Sequence, residues 1–396
     1  MGISVAPYVY EFKANTKERW IGRALVDVLS EEFRRRTRLY FEKAVTSGAV
    51  KINGHKTTAE YVLRSGDLIT HLTHRHEPPI PEQEIEEVYE DEEIIVVDKP
   101  SGIPCHPNSS YNRNTLTEIV KEKKGLAFIS AANRLDKQTS GVVLLAKTPQ
   151  AAVKYHKTIA EGGARKFYLA RVSGRFPAEK VDVSLPLCVS RSTCTSNICQ
   201  SAGESEGKES RTEFRLVCTN GKESVVLCQP VTGRTHQIRV HLQAIGHPIS
   251  NDMVYRKGYI EPEEIGVFRE GGKIVITPER YFKIFDDQKR VLDQRYAASL
   301  IDTEDARTDA YRDVEEVIER ARTEDPELFI FDTCMHCRNS EDLEKLPVFT
   351  SLYLHALEYS INGLVFRTKA PRWIKEVADV SRHIDIANLE SFTITH

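Results

Sequence analysis

The chain is poor in the features that fix a protein's class by themselves. Its 396 residues contain neither Gly-x-x-x-x-Gly-Lys nor Gly-x-Gly-x-x-Gly, so no loop that cradles the phosphates of a nucleotide cofactor is offered. No apolar run approaches the roughly 20 residues of a membrane-spanning helix. The start, Met1-Gly2-Ile3-Ser4-Val5-Ala6, lacks the charged opening and apolar core of a secretory signal, and it is not arginine-rich. Ala6 also stands where a myristoylated start has Ser or Thr. The 8 cysteines are scattered without framework spacing. Reduced thiols in an intracellular protein are therefore expected, with the cytoplasm as the expected compartment and the nucleus and mitochondrion left open. No internal repeat of fixed period is visible, and neither sign of charge dominates, the formal net being -3.

What is present reads as an ordinary globular protein, with 40% hydrophobic and 29% charged residues and length enough for two or three domains. The small net charge hides an asymmetry. Residues 11–76 carry 13 Lys and Arg against 8 Asp and Glu, whereas residues 260–325 carry 11 against 18. The basic end is the one suited to a polyanion.

Residues 1–18 read as a poorly structured lead-in. From Trp20, apolar residues at Ile21, Ala24, Leu25, Val28 and Leu29 have helical spacing, and a second helix is expected from about Arg35 to Thr46, stopped by Ser47-Gly48. Ala49-Val50-Lys51-Ile52, an Asn53-Gly54 turn and Leu68-Ile69-Thr70-His71-Leu72 predict strands. Pro78-Pro79-Ile80-Pro81 reads as a stiff linker over 78–84. It divides a small domain at 19–77 from a larger one at 85–396.

In the larger part, Ile94-Ile95-Val96-Val97 predicts a buried strand, 149–160 a helix, and Lys166 to Gly174 a half-buried strand. Residues 190–210 are rich in Ser, Thr and Gly and read as a mobile excursion. A hairpin is expected around Asn220-Gly221. Thr235 is placed to cap a helix bearing Ile238, Leu242 and Ile245, stopped by Gly246 and Pro248. A charged insertion at about 256–350 has helical spacing around 310–322, and the core resumes at Leu352-Tyr353-Leu354-His355-Ala356-Leu357.

Two segments carry the chemistry. The first is Asn133-Arg134-Leu135-Asp136-Lys137-Gln138-Thr139-Ser140-Gly141, followed by Val142-Val143-Leu144-Leu145-Ala146. The second, about a hundred residues later, is Thr232-Gly233-Arg234-Thr235-His236-Gln237-Ile238-Arg239-Val240-His241. Together they resemble the hallmarks of the RluA family of pseudouridine synthases, His-Arg-Leu-Asp-x-x-Thr-Ser-Gly and Gly-Arg-Thr-His-Gln-x-Arg-x-His. Asn133 departs from the first, at a position that is not the catalytic one. Asp98-Lys99-Pro100-Ser101-Gly102-Ile103-Pro104, His74-Arg75-His76-Glu77-Pro78-Pro79, the Asn133-Arg134-Leu135-Asp136 variant and the Cys334-x-x-Cys337 before Leu354-His355-Ala356 extend the likeness to the eukaryotic branch.

The resemblance implies an α+β catalytic domain with a central, mostly antiparallel sheet. The helix, helix, strand, turn, strand order of 19–77 resembles a small S4-like RNA-binding domain. Its arginine cluster, Arg34, Arg35, Arg36 and Arg38, would meet phosphates in a sequence-independent, salt-sensitive way. The implied reaction breaks the bond from ribose C1′ to uracil N1 and remakes it to C5. It needs no cofactor. Asp136 is the implied nucleophile, attacking C6 of the base or assisting departure at C1′; both remain open. A buried ionised carboxylate needs a paired cation. Arg239 matches the family's basic residue, with Arg234 the competitor. Tyr168 matches the family's tyrosine, able to stack on the uracil or relay the C5 proton. Base flipping is implied, with Arg134 suited to fill the vacated space or hold phosphate. Arg234, His236 and Gln237 complete the expected RNA contacts.

The branch resembled modifies uridine 32 of tRNA, so tRNA is the expected partner of a monomer, with no membrane and no small-molecule cofactor. Ribosomal or messenger RNA is the alternative substrate. A silent RNA-binding protein is a third reading, disfavoured because Asp136, Tyr168 and Arg239 are all present. Cys334-Met335-His336-Cys337 is one Cys-x-x-Cys, but a closed zinc site needs four ligands and the nearest other pair is Cys194 and Cys199. These cysteines read as ordinary thiols, and no metal is expected.

Overall fold

The computed structural model describes residues 2–33, 36–108, 110–189, 196–198, 207–256, 269–270, 272–278, 314–334, 337 and 351–377. The chain forms two compact units. The larger comprises residues 1–3, 79–293 and 348–396, the smaller residues 4–78 and 294–347.

The larger unit is built on a 12-stranded mixed sheet. Its central ladder runs through β6 (Glu86–Glu90), β7 (Ile94–Lys99), β9 (Ser140–Ala146), β18 (Leu354–Ile361), β10 (Ala164–Ser173), β15 (Glu223–Pro230), β14 (Arg211–Thr219) and β11 (Lys180–Ser184). It continues to β17 (Lys273–Ile276) and β16 (Arg269–Glu270), while β8 (Ser130–Ala131) and β19 (Leu364–Arg367) pair at the side. Pairing is antiparallel except for β9 with β18 and β11 with β17. The expected α+β class and mostly antiparallel sheet are therefore found. Ile94 to Val97 and Val142 to Ala146 are buried along their whole length, as suits central strands covered on both faces.

Among the described residues, three α-helices pack on this sheet: α3 (Leu116–Lys124), α4 (Pro149–Ala160) and α5 (Gln237–Ala244). α4 starts where expected, with Thr148 accepting from the Ala151 amide at 3.1 Å and Pro149 in the first turn. At α5 the cap differs: His236, not Thr235, is the last residue outside the helix, in a left-handed conformation at φ +56. Gly141 shows why the first motif ends in glycine. Its φ is +114, and a Cβ there would sit 2.2 Å from the Ala356 carbonyl oxygen, because β9 and β18 approach closely at that point.

In the smaller unit, α1 (Leu25–Glu32) and α2 (Arg38–Ser47) pack with β2 (Tyr8–Asn15), β3 (Val50–Ile52) and β4 (Leu68–Arg75) in a sheet of order β2-β4-β3. The Asn53-Gly54 turn closes a tight hairpin, with Ile52 and His55 exchanging both backbone bonds at 3.0 and 2.9 Å. Two helices from the far end of the sequence, α6 (314–320) and α7 (Pro326–Asp332), share this core through Ile318, Ala321, Phe329 and Ile330. Part of the expected charged insertion thus belongs to the smaller unit.

Several expectations need correction. The lead-in is a strand: all eight residues of β2 pair with β4. Its Tyr8, Tyr10 and Phe12 alternate onto one face, and the Arg75 guanidinium lies 4.8 Å from the Tyr10 ring. The proline-rich linker is not free: β5 (Ile80–Pro81) pairs with β1 (Gly2–Ile3), and Ile80 is fully buried. The first helix begins at Leu25, not Trp20, since Gly22 at φ +82 breaks the run. The second begins at Arg38 behind its Thr37 cap, so Arg36 lies before the helix and not on it. Cys188 is disulfide-bonded, against the expectation of reduced thiols throughout, because scatter along the sequence says nothing of distance in space. Most of the 190–210 excursion and of the 256–350 insertion lies outside the described residues; within the excursion, β13 (Ser196–Ile198) pairs with β12 (Leu187–Val189). Among the described residues no helix is long and apolar enough to cross a membrane.

Candidate active site

Asp136 lies in the loop between β8 and β9, and the backbone of that loop is held from several sides. Leu135 shares two hydrogen bonds with the Cys105 sulfur, both 3.3 Å. Gly102 donates to the Lys137 carbonyl at 2.7 Å, the Ser101 hydroxyl donates to the Gln138 carbonyl at 2.5 Å, and Leu352 donates to the same carbonyl at 3.1 Å. The ammonium of Lys99 is fully buried and donates to the carbonyls of Pro100, Ile103 and Lys137 at 2.8, 2.8 and 3.2 Å. Burial pushes its pKa down to about 8. The Asp98-to-Pro104 motif is thus the clamp of the Asp136 loop. Asn133, the departure from the family motif, ties the same loop to the sheet. Its amide bridges to β9 at Val142 and Leu144, 3.2 and 2.7 Å away.

Arg239, and not Arg234, faces the aspartate. It stands in the first turn of α5, as expected, with Nη1 3.3 Å from Asp136 Oδ2. Its other nitrogens grip Asp252 in a two-point pair at 2.6 and 2.9 Å. Both members of that pair are buried. Desolvation works against the Asp252 carboxylate, but the Arg239 bonds and the amides of Val254 and Tyr255 outweigh it and hold its pKa below the usual carboxylate range. The Tyr255 ring lies 4.8 Å from the guanidinium and its hydroxyl meets His236 Nδ1 at 2.8 Å. His236 Nε2 is 3.6 Å from Asp136 Oδ2, beyond hydrogen-bond length. Burial lowers the His236 pKa despite the nearby aspartate, so its ring is neutral at pH 7.

Asp136 opens into a cleft of ≈ 830 Å³ lined by Arg134, Lys166, Tyr168, Arg234, His236 and Arg239 among others. Its carboxylate keeps 32% exposure. Burial raises the Tyr168 hydroxyl well above its ordinary pKa, so it is a neutral phenol at pH 7. Arg134 and Arg234 are exposed at this cleft, Arg234 tethered to the Glu209 carbonyl at 3.1 Å.

Gln237 is among the residues lining the cleft, but its side-chain amide is buried and turned to its own loop. Its amide oxygen accepts from Thr232 and from the Arg234 backbone, and its nitrogen donates to Arg211 and Thr212. That exhausts the group's hydrogen-bonding capacity, so Gln237 braces the loop that carries Arg234. In the smaller unit, Arg38 is paired with Asp27 and Glu42 at 2.6 and 2.9 Å, and Arg36 lies 4.7 Å from the Tyr40 ring. Arg34 and Arg35 lie outside the described residues. Sequence reasoning missed three residues of the site. Lys166 had a signal: two places before Tyr168 on one strand, it shares its face. Lys99 stood in the Asp98-to-Pro104 motif without a role and Asp252 had no signal, since only the fold shows what they hold.

Comparisons with known proteins identify the family. Residues 93–244 match the family described as RNA pseudouridylate synthase. The chain is 40% identical over 277 residues to the mitochondrial tRNA pseudouridine(32) synthase of Saccharomyces cerevisiae, spanning 69% of this chain and 59% of that enzyme's length. It is 35% identical to RNA pseudouridine synthase 7 of Arabidopsis thaliana, across 72% of this chain and 74% of that one. With the tRNA pseudouridine(31) synthase of Saccharomyces cerevisiae it shares 33% identity over 93% of this chain and 94% of the relative. Near end-to-end likeness of that kind, with the Asp136 loop and the Arg239 helix meeting in one cleft, makes this chain a member of the RNA pseudouridylate synthase family.

Proposed function

We propose that the chain isomerises uridine to pseudouridine in the anticodon loop of tRNA, at position 32, with Asp136 as the nucleophile. The observation that carries this reading is the Asp136 carboxylate in the cleft, faced at 3.3 Å by an arginine that Asp252 holds in place. A carboxylate so placed can add to the flipped uridine at C6, or to C1′, and leave again. The bond from C1′ to N1 breaks and the bond from C1′ to C5 forms. C5 loses its proton, and N1 gains one. Flipping costs a few kcal/mol of stacking, which protein–RNA contacts must offset. Arg134 is suited to occupy the vacated stack, Lys166 and Arg234 to hold phosphate, and Tyr168 to stack on the uracil and direct its hydroxyl at C5. The smaller unit, whose element order resembles an S4-like domain, supplies further phosphate contact through its arginine cluster. The protein acts as a monomer, without a small-molecule cofactor, in the cytoplasm; fractionation tests the last point, and a mitochondrial signal would refute it.

The choice of position 32 rests on the name of one Saccharomyces cerevisiae relative; position 31 is the second reading, favoured by the fuller coverage of the other. Tritium release from tRNA labelled at uracil C5, for wild type and Asp136→Ala, tests the chemistry. Mapping the product then tests the target. Release that depends on Asp136 and maps to position 32 is expected. Release at 31, or from ribosomal or messenger RNA alone, keeps the chemistry and overturns the target. Binding without release from any RNA overturns both.

A further inference from the structure

Away from the cleft, the smaller unit brings four metal-ligating side chains to one point. His74 lies at the end of β4, two residues before His76, and Cys334 and Cys337 follow the end of α7. One ligand atom from each lies within 4.8 Å of all the others. The imidazole nitrogens of His74 and His76 are 3.2 Å apart, and the Cys337 sulfur is 3.2 and 3.3 Å from them. A tetrahedral zinc bonds nitrogen at about 2.0–2.1 Å and sulfur at about 2.3 Å, which gives ligand–ligand edges of about 3.3 Å for N–N, about 3.5 Å for N–S and about 3.8 Å for S–S. The three separations among His74, His76 and Cys337 match those edges to within a few tenths of an ångström, and Cys334 lies within 4.8 Å of all three. The packing also fixes the ligands: the Phe331 ring lies 4.3 Å from His74, and Cys334 is buried and donates its backbone amide to Phe331 at 3.1 Å. Both cysteines are free thiols.

We infer that His74, His76, Cys334 and Cys337 bind one zinc ion. Two thiolates with two imidazoles are a zinc-type donor set, and four protein ligands leave no open position for water or substrate. The site is therefore structural. β4 and α7 belong to segments more than 250 residues apart in sequence, and the ion joins them. Matching the Cys-x-x-Cys with a second cysteine pair points to Cys194 and Cys199, which lie outside the described residues. The partners that converge on it are histidines from the other end of the sequence.

The test uses the full chain purified without chelator from zinc-supplemented cells. Elemental analysis should find about one zinc per chain in wild type and background levels in Cys334→Ala/Cys337→Ala. Because that variant can misfold, the wild type is also stripped with a strong chelator and refilled with cobalt(II). Stripping should make two more thiols reactive towards a disulfide reagent and lower the unfolding temperature; cobalt should give the intense visible bands of a tetrahedral thiolate site. Zinc-free wild type with no cobalt bands, or zinc retained in full by the double variant, overturns the inference.

Discussion

The two units secure their polar interiors differently. In the larger, Lys99 and the Arg239–Asp252 pair are buried and satisfied by the chain itself, through carbonyls, amides and each other. In the smaller, two imidazoles and two thiols converge on a point, an arrangement that a cation completes. The broad sheet of the larger unit has enough neighbours around each strand to saturate a buried charge. The three-stranded sheet of the smaller has a modest core assembled from distant segments, the situation in which a metal contributes most to folding. On this comparison, the unit with the cleft is preorganised by hydrogen bonds, and breaking those bonds should affect chemistry more than folding of its neighbour.

The largest effect is expected from Asp136→Ala, which removes the proposed nucleophile and leaves Arg239 with Asp252. Turnover measured by tritium release should fall by at least about 10⁴-fold, with tRNA affinity nearly unchanged. Residual turnover within about tenfold of wild type would sink the assignment. Next comes Asp252→Asn. Removing one member of a buried ion pair costs about 3 kcal/mol of stability, and freeing the guanidinium to swing should cost about 100-fold in kcat. A stability loss with kcat intact would show that Asp252 supports the fold and not the aim of Arg239.

A smaller effect, opposite in sign, is expected beside the clamp. Burial, and then the charge of Glu86, push the Asp98 pKa up from 3.8 to about 6. With the folded pKa above the unfolded one, the unfolded state gives up its proton first. Asp98 therefore supports the fold fully below pH 3.8, and that support is lost as pH rises through about 6. Asp98→Asn, neutral at every pH, should stabilise the protein by about 1–2 kcal/mol at pH 7.5 and by almost nothing near pH 4. Denaturant melts at the two pH values check this, and an equal shift at both would contradict the burial account.

How much of this is legible in the sequence depends on distance along the chain. Asp136, Arg239 and Tyr168 match residues of the family that the sequence resembles, and it is that resemblance that brings them forward. The strand that follows Asp136 is equally plain, because a run such as Val142 to Leu145 has one stable place, the middle of a sheet. Lys99 is visible as a letter in a motif, but its three carbonyl partners are a property of the folded loop. Asp252 follows Arg239 by 13 residues, across the end of a helix, and no periodicity links them. The four converging ligands come from opposite ends of the sequence, so looking for a second Cys pair leads to the wrong residues. β2 is a different kind of miss. The alternation of Tyr8, Tyr10 and Phe12 is in plain view, but a position at the start of the chain argues for looseness and masks it.

The smallest effect separates the units as RNA surfaces. Removing one phosphate contact to a single strand should lower the slope of log binding constant against log salt by about 0.7. In the smaller unit Arg38 already spends its charge on Asp27 and Glu42, so Arg38→Ala should move the slope less than Arg36→Ala, whose guanidinium lies by the Tyr40 ring. In the larger, Lys166 lines the cleft, and Lys166→Met should change the slope by about one full contact. If Lys166→Met flattens the slope and Arg36→Ala does not, the cleft holds the tRNA alone, and the arginine cluster is only a solvated edge. If Arg36→Ala flattens it by the same amount, both units grip the phosphate backbone, and site choice depends on RNA shape that neither could read by itself.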